Sequence, residues 1–188
     1  MNEVTHTVTY DEILTATKTI GRRIDIVNKR LRVVHVDLSK ASILYTGDAD
    51  SVALHWLVTR VYPTLPVIHH CTEQRGSSRI SAKTLNFIYA RPFPIQLYPH
   101  GSDSKFPVQF IGERDPKPAP RSLSEYVASR VVTEEAGLTQ VRPFFDWTEA
   151  DVWALLFVKG LEFSQAYEDQ TRWADLYRTY ASTVKDSK

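Results

Sequence analysis

The chain has 188 residues, 43% hydrophobic and 24% charged, which predicts one folded domain and excludes a wholly disordered chain. Lys and Arg (23) nearly balance Asp and Glu (22), so the net charge of +1 gives no overall attraction for nucleic acid or an acidic membrane. The one cysteine, Cys71, excludes a disulfide within the chain and a zinc site built from several cysteines.

Helical and extended patterns alternate along most of the chain. Gly21 is where the first helix would divide, and Thr148 with Asp151 resembles a capping box that begins a later helix. The predicted helices are 10–32, 50–62, 81–90, 123–135, 148–158 and 173–184, and the predicted strands are 42–45, 66–69, 94–98 and 108–111. Strands that alternate with helices indicate an α/β fold with a mostly parallel sheet.

Seven of the ten prolines fall between residues 92 and 120, which predicts loops and short strands there. Only nine residues separate the predicted strand that ends at Tyr98 from the one that begins at Val108. A parallel crossover needs about a dozen residues. Either one strand is wrong, or the two are not parallel neighbours, or the connection is a pared-down version.

The most informative segment is Thr46-Gly47-Asp48-Ala49-Asp50-Ser51, which joins a predicted strand to a predicted helix. In such a turn, free backbone N–H groups and the positive end of the helix dipole suit a phosphate group. The alternative is an ordinary turn in which Asp and Ser side chains cap the helix.

This turn resembles the pyrophosphate-binding motif Ser-Gly-Gly-x-Asp-Ser of the PP-loop adenine nucleotide alpha hydrolases. Residues 52–57 are similar to the helix that follows it in phosphoadenylyl sulfate (PAPS) reductases. Further along, residues 142–153 resemble that family's P-x-x-D-W-T-x-x-D-V-W segment, 160–168 resemble its continuation, and Gly112-Glu113-Arg114 is similar to its G-x-R. The chain is thus identified as resembling a short, divergent PAPS reductase-like protein.

The resemblance spans residues from about 43 to 170 and implies a three-layer α/β sandwich of PP-loop type. We expect a single domain over 1–188, with an N-terminal helical extension at 1–40, a proline-rich loop at 99–122 and a C-terminal helical part at 142–188. The implied ligand is an adenine nucleotide, ATP or a sulfonucleotide. The implied chemistry is adenylyl transfer or pyrophosphate release.

The resemblance also assigns the site. Asp50 and Arg114 would be catalytic, with Arg114 and backbone donors stabilising charge on phosphoryl oxygens. The nucleotide-binding residues would be Tyr45, Thr46, Gly47, Asp48, Ala49, Asp50, Ser51, His69, His70, Cys71, Gly112, Arg114 and Arg121.

Two positions of the turn depart from the family motif, because Asp48 replaces the second glycine and Ala49 replaces a frequent lysine. A carboxylate adds negative charge where phosphate should approach. Asp48 would therefore either hold Mg²⁺, which prefers carboxylate and phosphate oxygens, or mark the loss of triphosphate binding.

The reductases carry a catalytic cysteine in a C-terminal Glu-Cys-Gly-x-His segment, which residues 181–188 lack. Cys71 lies elsewhere, so thiol-dependent reduction is not expected. The alternative function is a catalytically degenerate binding or assembly module, for example with a nucleic-acid-modifying complex or another protein.

Other candidate features have plainer interpretations. His69 and His70 are neighbours on a strand and point to opposite faces, which disfavours a shared metal. The basic residues between Arg22 and Arg32 form a solvated helix face or a contact for nucleic acid or an acidic partner. Arg114, Lys117 and Arg121 form either an anion clamp or a surface loop.

The first ten residues are polar, and no apolar run reaches the roughly 18 residues of a membrane span. We therefore expect a cytoplasmic protein of a bacterial or phage-infected cell, without membrane contact. A homo-oligomer is compatible with the sequence.

Overall fold

The structure is a computed structural model, described for residues 8–71, 82–99, 105–114, 131–135 and 137–164. The helices are α1 (Tyr10–Thr17), α2 (Ile20–Val33), α3 (Ala49–Thr59), α4 (Ala82–Tyr89) and α5 (Glu149–Lys159), with a 3₁₀ turn at Leu38–Lys40. The strands are β1 (Ala41–Leu44), β2 (Val67–Cys71), β3 (Ile95–Pro99), β4 (Val108–Phe110), β5 (Val132–Glu135) and β6 (Leu138–Val141).

In the described residues, six strands form one sheet in the order β3-β2-β1-β4-β6-β5. Every neighbouring pair is parallel except β5 and β6. The predicted α/β class with a mostly parallel sheet is therefore confirmed. Strands β3 and β4 are not neighbours, because β2 and β1 lie between them, so the second of the three alternatives for this connection holds.

The prediction of a helix over 123–135 is wrong at its end. Val132–Glu135 is a strand, and it forms an antiparallel hairpin with β6, where Glu135 pairs with Leu138. Gly137 supplies the positive φ of +81° that the tight turn requires. Strand β6 also pairs with β4, so tertiary pairing outweighs local helix preference. Residues 123–130 and the predicted helix 173–184 lie outside the described residues.

One predicted helix boundary differs from the structure, and another is confirmed by its capping residues. The first predicted helix divides between Thr17 and Ile20 rather than at Gly21, which lies inside α2. Helix α5 begins with the predicted capping box, in which the Thr148 hydroxyl accepts from the Asp151 N–H (3.3 Å) and the Asp151 carboxylate accepts from the Thr148 N–H (2.8 Å). These reciprocal bonds fix where α5 starts.

The core lies where α1, α2, α3 and α5 pack together beside the sheet. Its largest members are aromatic: Trp147, Phe144 and Phe145 are almost completely buried, and Trp153 on α5 is 3% exposed. Each such side chain stabilises the fold by at least about 1.5–3 kcal/mol. Among the described residues, no helix is both long and apolar enough to cross a membrane.

His55 on α3 titrates as part of this core. Its ring stacks on Phe93 with 3.9 Å between centroids, and it packs edge-to-face with the Tyr45 ring with 5.8 Å between centroids. Burial lowers the pKa of His55 to about 4. In the unfolded chain His55 has a pKa near 6.5, so the unfolded state takes up this proton first as the pH falls. The stability that the buried, neutral ring contributes is therefore fully present above pH 6.5 and is lost as the pH falls toward 4.

The free energy of unfolding of wild type should fall between pH 7 and pH 4.5. We expect this fall to be smaller by about 1–2 kcal/mol in His55→Leu, a range that allows for solvent screening. Urea unfolding at both pH values measures this difference. Equal pH dependence in wild type and His55→Leu would contradict the assignment.

Candidate functional site

The turn after β1 depends on a glycine. Gly47 has φ of +87°, a conformation that other residues adopt only with strain. A Cβ at this position would lie 3.4 Å from Thr84 Cγ2 and 3.5 Å from Ile88 Cγ1, both on α4. A second segment also holds the turn in place, because the Ser164 N–H donates to the Gly47 carbonyl (3.2 Å).

The N–H groups of Gly47 and Ser51, which the motif would turn toward phosphate, instead donate hydrogen bonds within the turn. The Ser51 N–H donates to Asp48 Oδ1 (2.7 Å), so the Asp48 carboxylate caps α3. The Gly47 N–H donates to Ser51 Oγ (2.9 Å), whose own proton goes to the Asp48 carbonyl (3.0 Å). Ser51 is buried, so its hydroxyl shapes the turn from inside.

Three other backbone N–H groups of the turn make no such internal hydrogen bonds. The backbone amides of Asp48, Ala49 and Asp50 have no hydrogen-bond partner within the described part of the chain. They lie at the N-terminus of the 11-residue α3, where the helix dipole is positive. This arrangement can bind an anion.

The segment after β4 brings an arginine to the same turn. Arg114 donates to Asp50 through Nε (2.5 Å to Oδ1) and Nη2 (3.1 Å to Oδ2). Gly112 allows this approach, because a Cβ there would lie only 3.0 Å from the backbone C and O of Asp50. The sequence nominated Asp50, Gly112 and Arg114 separately, and the β1–β4 pairing brings them together.

The charge environment of Asp50 is mixed. Burial raises the pKa of this carboxyl, and the nearby Asp48 and Glu149 carboxylates raise it further. The Arg114 guanidinium opposes both effects, but the net direction is upward. The turn therefore carries two carboxylates and contacts one arginine, beside its free amides.

Arg114 also borders a cleft of about 680 Å³ between α1, the start of α2 and the first turn of α5. Thr15 and Glu149 lie on its walls. Arg23 pairs with Asp151 (2.9 Å) at the same cleft. Arg114 connects the cleft to the turn through its contact with Asp50, and sequence reasoning did not predict the cleft because α1 precedes every motif.

The end of β2 holds the remaining nominated residues. His69 is 3% exposed, and its Nδ1 donates to the Tyr45 carbonyl (2.7 Å), so the imidazole fixes the chain just before the turn. His69 Nε2 has no partner in the described residues. His70 is only partly buried, and the Tyr45 ring packs in the core. The Cys71 side chain and Arg121 lie outside the described residues.

No group of three or more metal-ligating side chains occurs in the part of the chain that the structure describes. A cation bound here would need ligands from elsewhere, such as phosphate oxygens.

Part of the basic N-terminal cluster is used internally. Arg30 grips both oxygens of Asp146 (2.6 and 2.7 Å) and donates to the Pro143 carbonyl (3.1 Å). Burial raises the pKa of Asp146, but the Arg30 guanidinium outweighs burial and holds this pKa below its usual value. Arg30 and Asp146 thus connect α2 to the segment before α5, whereas Lys29 and Arg32 remain exposed.

No family model and no curated protein matches this chain. Its fold is similar to that of PAPS reductase from Candida auris, solved as a phosphate complex, with a TM-score of 0.54, 13% identity, and coverage of 89% of this chain and 95% of that one. It is also similar to FMN adenylyltransferase from Candida glabrata in complex with ATP (TM-score 0.57, 18% identity, coverage of 87% and 62%).

Yeast FAD synthetase in complex with FAD is similar too, with a TM-score of 0.51, 16% identity, and coverage of 81% of this chain and 62% of that one. The chain thus spans less than two thirds of the two flavin-related enzymes. At these identities the likeness concerns the fold. The chain has an α/β fold with a mostly parallel sheet, similar to that of PAPS reductase and FAD synthetase.

Proposed function

We propose that this protein binds an adenine nucleotide, ATP or a sulfonucleotide, with its phosphates at the N-terminus of α3. The observation that carries the proposal is the Gly47 turn, which presents three unpartnered amides where β4 delivers Arg114. The adenine would lie toward the end of β2, near His69 and His70. Proteins with this fold solved in complex with phosphate and with ATP support the choice of ligand.

The carboxylates of Asp48 and Asp50 would repel the phosphates of a nucleotide, so a divalent cation between them would favour binding. Asp48 uses Oδ1 to cap α3, and its other oxygen could ligate Mg²⁺ that is already held by phosphate oxygens. The cation would offset the repulsion between these carboxylates and the nucleotide.

The chemistry that fits this arrangement is adenylyl transfer or pyrophosphate release. Arg114 would stabilise the charge that develops on phosphoryl oxygens, together with the α3 amides. An acceptor molecule would lie in the cleft that Arg114 borders. Thiol-dependent reduction is not part of the proposal.

The second candidate is a catalytically degenerate module that retains the fold for binding or assembly. It is favoured by Asp48, which caps α3 with the protein's own carboxylate. The exposed basic residues Arg22, Lys29 and Arg32 would then contact nucleic acid or an acidic protein. Binding of nucleic acid through this face should weaken steeply as salt is raised.

Nucleotide binding is tested by calorimetry with ATP in the presence of Mg²⁺ or of EDTA. We expect binding that depends on Mg²⁺ and that Ser51→Ala weakens about tenfold, because Ser51 Oγ holds the turn in shape. Thr59→Ala is the control, since it removes a hydroxyl from the far end of the same helix. Absence of wild-type binding at millimolar ATP would contradict the proposal.

A further inference from the structure

The geometry points to Asp50 as an internal anion that occupies Arg114 until a phosphate-bearing ligand takes its place. This inference rests on the proposed nucleotide site and assigns Asp50 a role in controlling access to it. Asp50 then acts as a gate on ligand affinity rather than as a group that holds the ligand.

The first support is the shape of the contact. Arg114 uses Nε and Nη2, two parallel donors on one edge of the guanidinium, to bind both oxygens of Asp50. Arginine offers this same forked edge to phosphate. A phosphate bound through that edge must therefore displace the Asp50 carboxylate.

The second support is that this carboxylate can be displaced. The Arg114 and Asp50 side chains are 22% and 28% exposed, so water and a ligand can reach the pair. Asp48 and Glu149 repel the Asp50 carboxylate, which weakens its hold on Arg114. When Asp50 leaves, its amide still lies at the N-terminus of α3 beside the incoming anion.

A second arginine–aspartate pair in the chain shows the contrast. Arg30 also binds both oxygens of Asp146, and the two side chains are 11% and 34% exposed, so the contrast lies in the arginine. It also donates to the Pro143 carbonyl and lies over the Phe145 ring at 5.0 Å. Arg30 is therefore held by contacts beyond its aspartate, and the pair provides a matched control for a charge-neutralising substitution.

The test measures the affinities of sulfate and of Mg²⁺–ATP by calorimetry for wild type, Asp50→Asn, Asp50→Asn with Arg114→Gln, and Asp146→Asn. We expect Asp50→Asn to bind both ligands about tenfold tighter, because Arg114 is no longer occupied for most of the time. The double variant should lose this gain. Asp146→Asn should keep wild-type affinities even if it unfolds at a lower temperature.

The outcomes separate this inference from the proposed function. If wild type binds ATP and Asp50→Asn binds it equally or more weakly, Asp50 is not a gate, while the nucleotide site stands. If neither protein binds sulfate or ATP, both ideas fail.

A measurement on wild type tests the inference even if the Asp50→Asn variant does not fold. The Arg114 Nε–H signal, assigned with Arg114→Gln, should shift when sulfate is titrated in ¹⁵N NMR. It should not shift with chloride at equal ionic strength. A signal that sulfate leaves unchanged would overturn the inference.

Discussion

Replacing Asp48 by Gly and Ala49 by Lys is expected to raise the affinity for ATP about 100-fold. The double substitution removes one negative charge and adds one positive charge beside the three free amides of α3, and each charge near a phosphate contributes about 1–4 kcal/mol at partly exposed sites. Glycine at an N-cap costs helix stability only a few tenths of a kcal/mol relative to aspartate. Calorimetry with ATP measures the gain.

The matched control is Asp37→Gly with Leu38→Lys. Asp37 caps the 3₁₀ turn as Asp48 caps α3, so the same charges change at an equivalent position away from the site. This control should leave ATP affinity unchanged. If native protein does not bind ATP but the Asp48 and Ala49 double variant does, the degenerate module is the better account. Failure of both proteins to bind would contradict a nucleotide site.

Trp147→Ala is expected to lower the free energy of unfolding by about 3–5 kcal/mol, the range for truncating a buried aromatic residue. Trp147 is 1% exposed, and its ring centroid lies 5.3 Å from that of Phe144. It stands between Asp146, which Arg30 binds, and Thr148, which caps α5. For a domain of this size the melting temperature should fall by roughly 10 °C.

Trp56→Ala provides the comparison for this prediction. Trp56 is only partly buried, and its ring contacts the cations of Arg60 (4.6 Å) and Lys159 (5.5 Å). Its truncation should cost about 1 kcal/mol. Chemical denaturation measures both variants. Similar losses for Trp56→Ala and Trp147→Ala would show that Trp147 is not the anchor of the segment before α5.

The turn at residues 46–51 was predictable because its signals are local. One glycine, an acidic cap and a following apolar helix are all readable within a few residues. The capping box of Thr148 and Asp151 is local in the same way. What local sequence left open was the partner of the Asp48 carboxylate, which proves to be the Ser51 N–H.

Features that depend on distant pairing were not predictable in the same way. Asp50 and Arg114 are 64 positions apart, and their contact requires β4 to lie beside β1. The β5–β6 hairpin forms because β6 pairs with β4, although 123–135 has a helical pattern. The turn glycine Gly137 was the one local signal for the hairpin, and it lies just beyond the predicted helix.

The most direct test of a phosphate site at α3 is a crystal structure of the protein with ATP and Mg²⁺. We predict phosphate oxygens within hydrogen-bond distance of the Asp48, Ala49 and Asp50 amides, with Arg114 turned from Asp50 to phosphate. A structure at millimolar ATP in which the Arg114–Asp50 pair is intact and no nucleotide lies at the α3 N-terminus would contradict it.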